Sequence, residues 1–191
     1  AWVRGVNALR PEAVAVLWSR RGAPDFHARY SALSRTYRYV LLNRPVRPAL
    51  AARHAGWHHA PLEVVPMREA AGQLLGEHDF SAFRAADCQA KSPLRTLHGI
   101  DIEREGERIE FTLRANAWLQ HMARNIVGTL VYVGKGKHPP QWARKVLESR
   151  DRSLAAPTFG PEGLYLEAVG YDPRWNIPST ENQTALLQAA S

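Results

Sequence analysis

The sequence predicts an α+β fold, a mainly antiparallel sheet with packed helices. Three observations lead there. The apolar segments run strands, helix, hairpin, helices, strand, without the regular strand–helix alternation of a doubly wound sheet. Two alternating segments flank Gly106-Glu107, the pattern of an antiparallel hairpin. Finally, 191 residues with 45% hydrophobic content can bury one sizeable core within a single domain.

The elements follow in order. Residues 14–19 (VAVLWS) are a short apolar run between Pro11 and Arg20-Arg21-Gly22, which predicts a buried strand. Residues 35–43 (RTYRYVLLN) are aromatic-rich, alternate at first and predict a second strand, ended by Pro45 and Pro48. Residues 53–59 are a candidate third strand. Apolar periodicity predicts a helix over 65–75, with Pro66 tolerated in its first turn and Gly76 at the C-cap. Residues 80–93 read as a loop anchored by Phe80 and Phe83. Residues 97–105 and 108–116 form the hairpin. Residues 119–133 are apolar on most faces and predict a buried helix. Pro139 and Pro140 precede a short helix over 141–148, and residues 163–171 (GLYLEAVGY) close the domain as a strand. The folded region is expected over residues 1–172, with a polar tail over 173–191.

Composition removes several function classes. No apolar run reaches the eighteen residues that a membrane helix needs. One cysteine, Cys88, cannot form an internal disulfide or a cysteine-rich zinc site, and a reducing cytoplasm is the expected location. The sequon at Asn182 carries no meaning in that compartment. The eight histidines form no HExxH motif or close ligand set, so no metal is expected. Ser31, Ser34 and Ser81 lack a GxSxG elbow. Gly134-Lys135-Gly136-Lys137 lacks the spacing and hydroxyl of a phosphate loop, and reads as a C-cap turn.

Charge is more informative. The net charge is +7, and the excess is concentrated: arginines 20, 21, 29, 35, 38, 44, 47 and 53 face one acid, Asp25, between residues 19 and 53. A localised arginine-rich stretch is the footprint of a phosphate backbone, although a solvated face in an arginine-rich protein has the same composition.

Three segments combine a cation or an aromatic with a defined element. In the strand that begins at Arg35, period two puts Arg35, Tyr37 and Tyr39 on one face and Thr36 and Arg38 on the other. Such a strand can stack bases and bind phosphates, or simply pack tyrosines across a sheet. Arg124 interrupts the apolar surface of the long helix, HMARNIVG. A buried arginine must be paired, so it either meets a core carboxylate or serves a site. Glu162-Gly163-Leu164-Tyr165-Leu166 alone is an ordinary strand start.

Read together, the ordered blocks FHARYSA with RTYRY, LLGEHDFSAF, ANAWLQHMARNIVG and EGLYL closely resemble the tRNA pseudouridine synthase A family. The opening GVNAL and the later DRSLAAPT are similar to that family as well, so the resemblance extends to about Tyr171. It implies isomerisation of uridine to pseudouridine in the anticodon stem-loop of tRNA, with no metal and no organic cofactor. It also implies a homodimer in which each tRNA contacts both subunits. By the same resemblance, Tyr37 is the active-site tyrosine that packs on the flipped base. Arg124 is the basic residue that pairs with the catalytic aspartate. Leu164 packs against the site, and Arg29, Arg35 and Arg38 are candidates for tRNA phosphate contact. The family's catalytic aspartate belongs to an RTDAGVH-type motif upstream of GVN, and this sequence contains no such motif. The expectation is therefore a C-terminal portion of such an enzyme, inactive alone. The alternative is an RNA-binding module without chemistry.

Overall fold

The computed structural model describes residues 2–178. Residues 179–191, including Asn182 and most of the expected polar tail, lie outside the described residues. Helix α1 (Trp2–Ala8) is followed by strands β1 (Ala32–Asn43) and β2 (Gly56–His58), helix α2 (Val64–Gly72) and strand β3 (Gly76–Asp79). Strands β4 (Leu94–Glu105) and β5 (Arg108–Ala115), helices α3 (Met122–Gly134) and α4 (Trp142–Ser149), and strand β6 (Leu164–Tyr171) complete the order. No helix among the described residues is long and apolar enough to cross a membrane.

The sheet has six strands in the order β2-β1-β5-β4-β3, with β6 also on β1. All pairings are antiparallel except β1 with β2, so the expected fold class holds. The hairpin β4–β5 turns at Gly106. Strand β1 is the hub. One edge pairs with β5 from Arg35 to Leu42. The other edge is divided: β6 takes Ala32 to Tyr39, and β2 takes Leu41 to Asn43. Gly163 sits at the division, where its carbonyl accepts from the Val40 N–H (2.9 Å).

One sheet face buries Tyr39 and Leu41 of β1 with Ile109, Phe111, Leu113 and Ala115 of β5. Helix α3 packs there with almost every residue buried, and α2 adds Met67, Ala70 and Ala71. Phe80 and Phe83 are fully buried in this core, as their anchoring role predicted. Each such side chain contributes roughly 1.5–3 kcal/mol of hydrophobic stabilisation. The opposite face carries charge: Arg38 is paired with Glu110 (3.5 Å) and Glu167, and Arg108 with Glu110.

Two expectations need correction. Residues 14–19 form no strand, and Val14, Leu17 and Trp18 are exposed. A strand requires backbone pairing with a neighbouring edge, and this segment pairs with none of the sheet's strands. The Val16 backbone pairs instead with the Asn7 side chain, through both its N–H (2.7 Å) and its carbonyl (2.9 Å). Second, α2 ends at Gly72, so Gly76 is not its cap; Gly76 opens β3 at φ 103°. The candidate strand over 53–59 shortens to Gly56–His58.

Asp79 fixes the turn after β3. Its carboxylate accepts from the Ser81 N–H (2.9 Å) and hydroxyl (2.6 Å) and lies 3.5 Å from Arg150. Partial burial works against its charge, but Ser81 and Arg150 outweigh that and hold its pKa below the usual carboxylate range. A depressed pKa contributes stability above the unfolded value, and this is lost as pH falls through the folded value. Asp79→Ala is therefore expected to cost about 1 kcal/mol at neutral pH, with the difference from the unaltered protein closing in acid. Urea denaturation at pH 7 and pH 3 checks this.

Candidate active site

An open cleft of about 1230 Å³ lies where β1, the β5–α3 connection, the first turn of α3 and the start of β6 converge. Its lining includes Arg29, Arg35, Tyr37, Arg124 and Leu164, residues far apart in the chain that the sequence singled out. Arg38 is not brought there. It lies on the other face of β1, as alternation requires, and its charge is matched by Glu110 and Glu167.

Each side chain has a local reason for its position. Arg35, Tyr37 and Tyr39 share one face of β1. Tyr39 lies in the core and donates from its hydroxyl to the Gly160 carbonyl (2.7 Å). Burial, reinforced by Glu162, pushes the Tyr39 pKa up and keeps the ring protonated, although Arg124 opposes the shift. Two residues earlier, Tyr37 reaches the cleft, where Trp118 meets it edge-on (centroids 5.4 Å, interplanar 80°). The Trp118 indole N–H donates to the Arg35 carbonyl (3.1 Å), which locks this aromatic pair to β1. Arg35 in turn donates to the Arg29 carbonyl (2.7 Å), so one guanidinium holds the loop that carries the other.

His121 enters α3 at φ 62°, ψ 0°, in the left-handed region. This costs a non-glycine side chain on the order of 1 kcal/mol, and such strain gathers at functional sites. Its carbonyl accepts from the Asn125 N–H (2.9 Å) and starts the helix. Met122 then enters the core, while Arg124 lines the cleft. The Arg124 Nε donates to the Phe159 carbonyl (2.7 Å), and among the described residues Arg124 makes no ion pair. Among the described residues no core carboxylate meets Arg124, and its side chain lines the cleft.

Asn125, fully buried, holds the surrounding loops. Its amide donates to the Phe83 carbonyl (2.7 Å), and its oxygen accepts from Thr158 (2.7 Å) and Arg152 (3.0 Å). The strap over 157–164 is thereby tied to α3 next to Arg124.

The cleft also holds residues that sequence reasoning passed over, chiefly Trp118, Lys91 and Arg95. Trp118 stands within ANAWLQHMARN, where proximity to Arg124 was a usable signal. Arg95 gave none. It is partly buried, which lowers its pKa, and its Nε has no hydrogen-bond partner. The charged lining is basic throughout: Arg29, Arg35, Lys91, Arg95 and Arg124, with no aspartate or glutamate. At the rim, Gln120 donates to exposed Asp87 (2.9 Å). Asp79, Asp151 and Asp172 cap turns elsewhere. Among the described residues no group of three His, Cys, Asp or Glu side chains could hold a metal ion.

A cleft with one tyrosine–tryptophan wall and an all-cationic lining suits an aromatic base on a phosphate chain. Comparison with known proteins shows the family. Residues 70–172 match the tRNA pseudouridine synthase family. A tRNA pseudouridine synthase A from Herminiimonas arsenicoxydans is 54% identical over 190 residues, covering 97% of this chain and 69% of the relative. One from Dechloromonas aromatica is 55% identical over 178 residues, covering 93% of this chain and 68% of the relative. The chain belongs to the tRNA pseudouridine synthase family.

Proposed function

We propose that the cleft receives a uridine turned out of the anticodon stem-loop of a tRNA, and that this chain supplies the binding half of a pseudouridine-forming site. The observation that carries the reading is the gathering of Tyr37, Arg124 and Leu164 on one cleft whose charged lining is entirely basic. A base must leave its stack before it can be altered. Tyr37 and Leu164 pack against the extruded uracil, and Arg124 fills the gap left in the RNA. Pseudouridine formation breaks the bond from ribose C1′ to N1, turns the base and joins C1′ to C5. The hydrogen on C5 then leaves as a proton while N1 gains one, so atoms balance without a co-reactant. The Tyr37 hydroxyl assists that last proton removal.

A carboxylate must act at the ribose or the base, and Arg124 would hold it ionised by lowering its pKa. The cleft offers no carboxylate of its own. The 191-residue chain alone is therefore expected to release no tritium from tRNA labelled at uridine C5; robust release would overturn the assignment of roles. RNA binding without turnover is the behaviour both of this half-site and of an RNA-binding module. Restoring turnover by adding a segment with an RTDAGVH-type motif separates the two.

Arg124→Gln is expected to weaken tRNA binding, and Arg29→Gln to reduce the salt dependence of log K as well, by about 0.7–0.9, one phosphate contact's worth. Fluorescence anisotropy across a salt series checks this. The same reading proposes Arg29 and Arg35 as phosphate contacts. It also proposes a cytoplasmic homodimer, with sedimentation equilibrium as the test of the dimer.

A further inference from the structure

Helix α3 carries a second cationic feature at its far end, which the cleft does not use. The chain leaves the helix through a Schellman turn: the Lys137 N–H donates to the Tyr132 carbonyl (3.1 Å) and the Gly136 N–H to the Val133 carbonyl (2.8 Å). Gly136 stands at φ 72°, which favours glycine. The turn folds both flanking lysines back over one ring, with Lys135 Nζ 3.9 Å and Lys137 Nζ 4.4 Å from the Tyr132 centroid. Beside them His138 and Trp142 stack, centroids 3.9 Å apart and 19° from parallel, and Tyr132 lies nearly parallel to both.

The helix dipole favours a cation at a C-terminus, which accounts for one lysine. It does not account for two ammonium groups converging on a single ring. Both charges are left unneutralised, since neither lysine has a carboxylate partner among the described residues. The field reaches further. Burial lowers the His138 pKa, and Lys137 and Lys135 lower it again. Burial lowers the His58 pKa, and His59 and Lys135 add to that. Glu63, beside the helix end through its N–H to the Gly134 carbonyl (2.8 Å), makes no ion pair with either lysine. Both lysines are exposed.

We propose that Lys135, Lys137 and the His138–Trp142 stack form a second RNA contact, which grips the sugar–phosphate backbone of the same tRNA outside the cleft. Backbone phosphates supply the counter-charge that both ammonium groups lack, and the neighbouring parallel rings supply a stacking surface. Position supports a shared ligand. Tyr132 follows Arg124 by eight residues on α3, about 12 Å along the axis at 1.5 Å per residue. A separate groove of about 460 Å³ lies beside Tyr132; its lining includes Arg47, Glu162 and Pro157–Gly160 of the strap whose Phe159 carbonyl holds Arg124.

This inference rests on the tRNA reading above, and the test separates the two. tRNA binding by the full 191-residue chain is followed by anisotropy between 50 and 200 mM salt. Lys135→Gln/Lys137→Gln is expected to weaken binding roughly tenfold or more at the lower salt and to reduce the salt slope by about 1.4–1.8, two contacts' worth. Lys135→Arg/Lys137→Arg is expected to keep both affinity and slope. The substituted positions are exposed, and an unchanged thermal transition verifies the fold. An unaltered slope and affinity in the glutamine variant, with Arg124→Gln still impaired, overturns this inference alone. Failure of the unaltered chain to bind tRNA overturns both readings.

Discussion

Asn125→Leu is expected to destabilise the protein by about 3 kcal/mol, at the high end for a single polar substitution. Leucine matches asparagine closely enough in size, but it removes both ends of a buried network. The Phe83 carbonyl loses its donor, while Thr158 and Arg152 lose their acceptor. Buried polar groups left unpaired cost about 1–3 kcal/mol each, and more for a charge. Partial relaxation toward water limits the sum. Urea denaturation with an unchanged m-value is the measurement, and a loss below about 1 kcal/mol would show the network to be dispensable. The effect should also reach the cleft. Thr158 belongs to the strap whose Phe159 carbonyl holds Arg124. Loosening it is expected to lower tRNA affinity even where the variant remains folded. Asn125 is thus a positioning residue, and Thr158→Val should reproduce a smaller part of both losses.

Gly163→Ala is expected to cost about 3 kcal/mol, for a different reason. The Gly163 backbone is not left-handed; the difficulty is space. An added Cβ would collide with the Val40 carbonyl oxygen and would stand 2.8 Å from the Gly56 nitrogen and 2.9 Å from Tyr39 Cε1. Two of these neighbours are backbone atoms of β1 and of the start of β2, which cannot step aside without breaking ladder pairs. Overpacking of this kind costs about 1–3 kcal/mol, and more where the backbone must move. For a chain of this size the expected fall in melting temperature is roughly 6–12 °C. Gly99→Ala is the control, because nothing lies within 4 Å of the corresponding position. It should be nearly neutral, and an equal fall in both variants would show that alanine's bulk at Gly163 is not the cause.

Much of the fold was legible because its signals are local. Alternation marked β1 and the hairpin β4–β5, helical periodicity marked α2 and α3, and the Gly134-Lys135-Gly136-Lys137 turn marked the end of α3. Residues 14–19 show where that reasoning stops. VAVLWS has a strand's composition, but a strand forms only where its backbone pairs with a neighbouring edge, and this segment pairs with none of the sheet's strands. The end of α2 failed in a similar way. Gly76 was read as a cap because glycines often are, whereas its positive φ serves the entry to β3.

The candidate site divides along the same line. Tyr37 and Arg124 were legible through resemblance and through the oddity of an arginine in an apolar helix. Alternation separated Arg35 from Arg38, but not which face would meet the cleft. Arg38 is neutralised by Glu167, 129 residues away, while Arg35 lines the cleft. Lys135 and Lys137 were correctly read as a helix-ending turn, yet nothing in that tetrapeptide shows that both ammonium groups would settle on Tyr132. By itself the sequence determined β1, the hairpin β4–β5, the bodies of α2, α3 and α4, the family and the surplus of positive charge, because periodicity, turn chemistry and composition need only near neighbours. The tertiary structure decided which cations find carboxylates and which are left facing a basic cleft, because those partners lie far along the chain and only the sheet brings them together or keeps them apart.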